Sequence, residues 1–287
     1  MLPAVQSESN AAAQSAPTHA VELAHALAFR NGLGYSLYAD GQTTDNITAE
    51  DVRDFHTQAV GNPSNVAVLG TGISTESLAK LFETAVSAHK APSSRASTPT
   101  TPSAATTTTT TYHGGSARVA STHGPQTIFV GFGSTASASI PALHALAAHL
   151  NPTPSLKWVT SSAPLASAIP AGVRARSVLL PYSDATLIGV VLEGRDGAAL
   201  GEGAKAVVRA FKDTAVPAAG GKIGQEEVAR AVARAKFQLA AGVEAREGYV
   251  GTFGPKVLKG EAASVRSALD GIQGVSGASL SQVSFAL

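Results

Sequence analysis

Five residues near the start of the chain, His19-Ala20-Val21-Glu22-Leu23, stand one substitution away from H-x-x-E-H. In that pattern two histidines on one helix face bind zinc and the glutamate activates a water. Leu23 holds the second histidine's place and has no lone pair to give a metal, so the spacing predicts a packing helix. His144 and His149 lie five apart, on different faces of a helix. His25, His56, His89, His113 and His123 complete no cluster at ligand spacing, and no metal site is expected. Gly131-Phe132-Gly133-Ser134-Thr135-Ala136 follows a strand pattern and matches G-x-G-x-x-A. A dinucleotide site also needs a helix opening in that turn and an acid some 20 residues on. Here the next helix starts near Pro141, and no Asp or Glu occurs between Thr127 and Asp184. Gly70-Thr71-Gly72 fails in the same way. Gly274-Val275-Ser276-Gly277 is not the G-x-S-x-G elbow of a serine hydrolase. Asn46-Ile47-Thr48 is an acceptor sequon only in a secreted chain, and Thr48 reads better as a helix cap. No catalytic, cofactor-binding or metal-ligating residues are expected.

Composition narrows the classes further. The 287 residues carry 21 basic and 20 acidic side chains, a formal charge of +1, so no basic face invites nucleic acid. With no cysteine, disulfides, zinc thiolates and thiol nucleophiles are excluded. No window approaches the roughly 18 consecutive apolar residues of a membrane span. The first 17 residues show neither a secretory signal nor an Arg-rich transit pattern, so the expectation is a soluble chain without a visible address.

The elements that would position any site follow from periodicity. Residues 1–16 read as an irregular lead-in. A helix over 21–29 places Leu23, Ala24, Leu27 and Ala28 on one face, with Arg30 in its last turn and Gly32 free to adopt the left-handed conformation that ends it. Thr48-Ala49-Glu50-Asp51 is a capping-box variant opening a helix with Val52, Phe55 and Ala59 inward, closed by Gly61 and Pro63. Residues 65–69 suggest a short strand. Ser74 caps a helix with Leu78, Leu81, Phe82, Ala85 and Val86 at clean helical spacing. Residues 90–111, rich in Thr, Ser and Pro, read as a disordered linker and the domain boundary. Beyond it, strands are expected over 117–121 and 127–132, then a helix after Pro141 with Leu143, Leu146, Ala147 and Leu150 inward. Residues 173–180 and 185–192 around a turn at 181–184 read as a β-hairpin or a pair of neighbouring strands. Helices follow over 200–213 and 225–246, with weaker ones near 262–269 and 279–287. Strand pairs followed by helices predict an α+β fold, with the helices on one face of an antiparallel sheet.

Five phrases in order carry a family resemblance. They are Ala28-Phe29-Arg30-Asn31-Gly32-Leu33-Gly34 with Leu37-Tyr38-Ala39; Asp51-Val52-Arg53-Asp54-Phe55 with residues 65–73; Tyr112-His113-Gly114-Gly115-Ser116-Ala117-Arg118; Thr153-Pro154-Ser155-Leu156-Lys157-Trp158; and residues 180–186. Together the chain resembles the core protein 2 family of the mitochondrial cytochrome bc1 complex, fungal type, within the M16 (pitrilysin/LuxS-like) metallopeptidase superfamily. The resemblance implies two similar α+β domains, each a mostly antiparallel sheet with helices on one face. Residues 1–89 would be the end of a first, incomplete domain. Residues 112–287 would be a second domain, lacking its final strand. It further implies a non-peptidase scaffold of complex III without a cofactor of its own. Its partners would be core protein 1, cytochrome b and cytochrome c1, and it would sit peripherally on the matrix side of the inner membrane. Relative to the family the chain begins inside the first domain and stops at Ser284-Phe285-Ala286-Leu287, which implies a truncated form with exposed apolar helix faces. The alternative is the non-catalytic subunit of the mitochondrial processing peptidase. Its glycine-rich loop has no counterpart in Ser134–Ser139.

Overall fold

One strand decides the architecture. Thr186–Gly194 (β3) is buried at eight of its nine positions, which happens only when neighbours lie on both edges and both faces. In the computed structural model the described residues are 2–39, 46–60, 66–88, 110–120, 124–135, 139–154, 158, 161–216, 223–261 and 264–286. Gln126–Ser134 (β1) pairs antiparallel with β3 from Gln126↔Gly194 to Ser134↔Thr186, and Arg174–Pro181 (β2) pairs antiparallel with its other edge. The order is β1-β3-β2. The expected hairpin of residues 173–192 is therefore present, closed by Tyr182 N–H donating to the Ala185 carbonyl at 2.8 Å.

Side-chain alternation separates the two faces. Ile128, Val130 and Phe132 of β1, with Ile188, Val190 and Leu192 of β3, join the main core. Ile140–Leu150 (α5), whose Leu143, Leu146 and Leu150 are fully buried, supplies much of the other side. Gly197–Ala215 (α7) packs there too, turning Leu200, Val207 and Phe211 inward. Its N-terminus is satisfied by Asp196, whose carboxylate accepts from the amides of Ala198 and Ala199. Gln225–Glu244 (α8) adds Ala231, Val232 and Ala235, and Gly277–Ala286 (α11) adds Leu280 and Val283.

The opposite face is not bare. Ala16–Phe29 (α2) covers it, with Ala28 and Phe29 in a second cluster with Leu187, Phe129 and Leu180. Helices therefore lie on both faces of the sheet. The expectation of one face is corrected, because β1 and β3 carry apolar or glycine residues at the alternate positions too. The buried side of this helix only partly follows the expected face: Ala28 is buried and Ala24 packs beside it, but His25 and Phe29 join them, whereas Leu23 and Leu27 are half-buried. It ends at Phe29, and the first left-handed residue is Arg30, followed by Gly32, both at φ of 59°.

Packing groups residues 1–46, 110–239 and 266–287 into one compact unit and residues 47–109 with 240–265 into another. The second contains Ala49–Val60 (α3), Thr75–Ala88 (α4) and Arg246–Leu258 (α9). The capping box of α3 forms as expected: Thr48 N–H donates to Asp51 Oδ2 at 2.8 Å while Asp51 N–H donates to Thr48 Oγ1 at 3.2 Å. The Thr48 hydroxyl, donating to Asp51 Oδ2 at 2.7 Å, and then the Thr48 amide hold the Asp51 carboxyl below its ordinary range. Ser74 likewise accepts from the amide of Ser77.

Other expectations fail locally. Leu2–Gln14 (α1) is helical where an irregular lead-in was expected, its Ala-rich composition outweighing its polarity. Residues 66–69 and 117–120, expected as strands, form no ladder. Helices Pro164–Ala168 (α6) and α9 have no counterpart in the sequence reading. In α9, Gly248, Gly251, Gly254 and Pro255 read as breakers, yet the helix runs through all four. The penultimate helix is Val265–Gln273 (α10), a few residues later than expected. The 90–111 linker, Gly61 and Pro63 fall outside the described residues except for Thr110 and Thr111.

Candidate functional site

The near-zinc pattern is taken up by structure. Glu22 accepts a hydrogen bond from Ser36 Oγ at 2.5 Å and from the Leu37 amide at 3.1 Å, which fastens the loop after α2 back onto the helix. Its carboxylate is therefore spent on a loop anchor. Leu23 lies half-buried beside it. Among the described residues, no three His, Asp or Glu side chains converge on a point where a metal could sit.

The polar centre of this face is His25, which the motif reading passed over. Its Nδ1 lies 2.7 Å from the Val21 carbonyl oxygen, which can only accept, so Nδ1 carries the proton. Nε2 is then the acceptor for the Tyr182 hydroxyl at 2.6 Å. Tyr182 also meets His25 and Phe29 edge-on, with ring centroids 5.8 Å and 6.4 Å away. Burial, followed by the charge of Glu22, raises the Tyr182 pKa. The Tyr182 hydroxyl and the His25 imidazole form a joint between α2 and the β2–β3 turn. The available signal was that His25 stands at i, i+3, i+4 with Ala28 and Phe29.

The glycine motif has an equally local cause. A Cβ on Gly131 would fall 2.1 Å from the Phe129 ring, and one on Gly189, its cross-strand partner, 2.5 Å from the Val130 carbonyl oxygen. The Phe129 ring lies over two facing glycines. Gly133 is similarly roofed by Tyr112. These glycines admit aromatic rings where a nucleotide site would admit phosphates.

His149 is the other buried titratable group. It sits at the end of α5 on the floor of a cleft of ≈ 480 Å³, also lined by Glu202, Arg209, Asp213 and Glu227. Burial lowers its pKa, opposed by Glu227 and aided by Arg234 and Arg230. His144, on the same helix, is not on this floor, so the two histidines do not converge. Arg234 of α8 uses Nη2 to donate to the carbonyls of Asn151 and Thr153 at 2.7 and 2.9 Å. That loop in turn covers the outer edge of β2, where Thr153 Oγ1 donates to the Ala175 carbonyl and Asn151 Oδ1 accepts from the Ser177 amide. Thr153, singled out only as part of a family phrase, thus has a structural task. The arrangement orients elements and guards a sheet edge.

The fold defines the class first. It is an α+β protein on a small antiparallel sheet, and it superposes on a chain of complex III from Candida albicans with TM-score 0.74 at 16% identity, over 98% of this chain and 66% of that one. It also superposes on a protease from Helicobacter pylori with TM-score 0.56 at 16% identity, over 88% of this chain and 59% of that one. No family model matches the chain. Sequence relatives are more specific. The mitochondrial cytochrome b-c1 complex subunit 2 of Cryptococcus neoformans is 38% identical over 98% of this chain, and that of Yarrowia lipolytica is 32% identical over 84% of it. The chain is homologous to subunit 2 of the cytochrome b-c1 complex, the family its ordered phrases resemble. It spans 61% of the length of the cryptococcal relative and 53% of the Yarrowia one.

Proposed function

We propose that the chain serves as a non-catalytic core subunit of respiratory complex III, ubiquinol–cytochrome c reductase, supporting its assembly and thereby electron transport. The observation that carries this reading is the 38% identity running along 98% of the chain to a protein of that name. In this reading it sits on the matrix side of the mitochondrial inner membrane, beside core protein 1, cytochrome b and cytochrome c1. No described helix is long and apolar enough to cross a membrane, which suits peripheral attachment. Residues 1–89 would belong to the first of two M16-like domains and residues 112–287 to the second, with no catalytic, metal or cofactor-binding residue in either. The sequence given holds no H-x-x-E-H, which supports a member without peptidase activity.

Likeness to a protease fold favours one other reading, the non-catalytic subunit of the processing peptidase. A tagged copy expressed in fungal mitochondria separates them. The expected result is co-migration with cytochromes b and c1 on a native gel. Association instead with chelator-sensitive presequence cleavage would overturn the proposal.

A further inference from the structure

The cleft floored by His149 holds a polar group that the rest of the fold does not use. His149, near the end of α5, is only 9% exposed and makes no hydrogen bond to the described residues. Thr214, the other buried polar side chain of the lining, donates its hydroxyl proton to the Ala210 carbonyl at 2.8 Å. A buried polar side chain without such a partner is costly unless solvent or a ligand meets it. The ring also borders a void of only ≈ 10 Å³, so a partner larger than water reaches it from the cleft of ≈ 480 Å³.

The wall beside this floor carries charge of both signs. Glu202, Lys205, Arg209 and Asp213 fall on one stripe of α7, and all four line the cleft. Glu202 and Lys205 satisfy each other at 2.8 Å. Arg209 and Asp213 form no ion pair among the described residues, and their order, base before acid, is the less favourable one for pairing along a helix. Glu227 of α8 brings a further carboxylate to the lining. A simple anion would be repelled by Asp213 and Glu227, and a simple cation by Arg209. Among the described residues the carboxylates do not converge with His149 as a metal site requires. Between the charges, Ala206 and Ala210 offer a small, apolar surface.

We propose that this cleft binds a small organic zwitterion of the ω-amino-acid class, with its carboxylate on Arg209, its ammonium toward Asp213 and Glu227, and a hydrogen bond from the ammonium to His149. Four residues of helix rise set the Arg209 and Asp213 positions about 6 Å apart along α7, the span between the charged ends of a five-carbon ω-amino acid. A guanidinium takes a carboxylate through two parallel hydrogen bonds. Burial favours the neutral imidazole, which keeps one ring nitrogen as an acceptor for the ammonium. The methylene stem lies on Ala206 and Ala210. Every group invoked belongs to one compact unit of the chain, so the site is independent of any assembly role.

Titration of the full chain with δ-aminovalerate, followed through the imidazole proton resonances, tests this. The resonance missing from His149→Gln identifies His149, and it is expected to shift saturably with a midpoint below about 10 mM. Valerate lacks the ammonium and pentylamine the carboxylate, and each should bind at least about tenfold more weakly. Arg209→Gln should abolish the advantage of δ-aminovalerate over pentylamine. Asp213→Asn combined with Glu227→Gln should abolish its advantage over valerate. All three side chains are exposed, so these variants keep the core intact. The absence of a saturable shift up to about 10 mM, equal binding of the three probes, or advantages that survive the substitutions would overturn the proposal.

Discussion

Helices α5 and α3 carry comparable apolar stripes and meet opposite fates. In α5 the side chains of Leu143, Leu146 and Leu150 are fully buried against the sheet, with Ala142, Ala145 and Ala148 beside them. In α3, Val52 is 57% exposed and Phe55 71% exposed, though the capping box forms and the periodicity is as clear. Leu81 and Val86 of α4 face solvent in the same way. A stripe states which side of a helix would accept a partner. Burial requires that a sheet or helix of matching shape be present, and α5 has one in β2 and in α11. Local signals and tertiary stability are separate quantities, and these two regions show them apart.

That contrast can be broken most directly with truncations of matched kind. Leu146→Ala removes a fully buried side chain and should lower the unfolding free energy by about 3 kcal/mol, read by urea denaturation followed by circular dichroism. Phe55→Ala removes a larger but exposed ring and should change it by no more than about 0.5 kcal/mol. Equal losses would show that α3 is packed in solution. A smaller effect is expected at the α2 joint. Tyr182→Phe deletes the hydroxyl that satisfies buried His25 Nε2 and should cost about 1–2 kcal/mol in the same assay.

The smallest expected effect depends on pH. Burial lowers the His149 pKa in the folded chain, so the unfolded chain binds this proton more readily, and stability must rise with pH where the two differ. The His149 contribution is present in full above its ordinary value of 6.5 and is lost as pH falls through the depressed folded value. Denaturation midpoints at pH 7.5 and 5.5 should therefore move less in His149→Asn than in the parent. No difference between the two would show that the cleft floor is hydrated enough to charge freely.

The residues left inexplicit in the sequence share a cause. His25 is polar and stands beside apolar Leu23 and Leu27, so a hydropathy reading omits it from the buried side that it shares with Ala28; only the position of Tyr182, 157 residues along the chain, gives its ring a partner there. Gly248, Gly251, Gly254 and Pro255 discourage a helix locally, and α9 forms regardless. Residues 66–69 have strand composition but form no ladder with the described residues. In each case a long-range partner, present or absent, outweighed a preference of less than about 1 kcal/mol per residue for every residue except proline.

By itself the sequence determined the neighbouring strands β2 and β3, the buried stripe of α5, the existence of α7 and α8, the caps at Thr48 and Ser74, and the order of phrases that resembles subunit 2 of the cytochrome b-c1 complex. These rest on spacing within a turn or a strand, which a linear string records completely. The tertiary structure alone decided that α2 covers the second face of the sheet, that Phe129 occupies the space opened by Gly131 and Gly189, and that Arg234 secures the loop over the outer edge of β2. Each of these joins residues far apart in sequence. Whether such groups meet depends on how whole elements pack, a property that no local window contains.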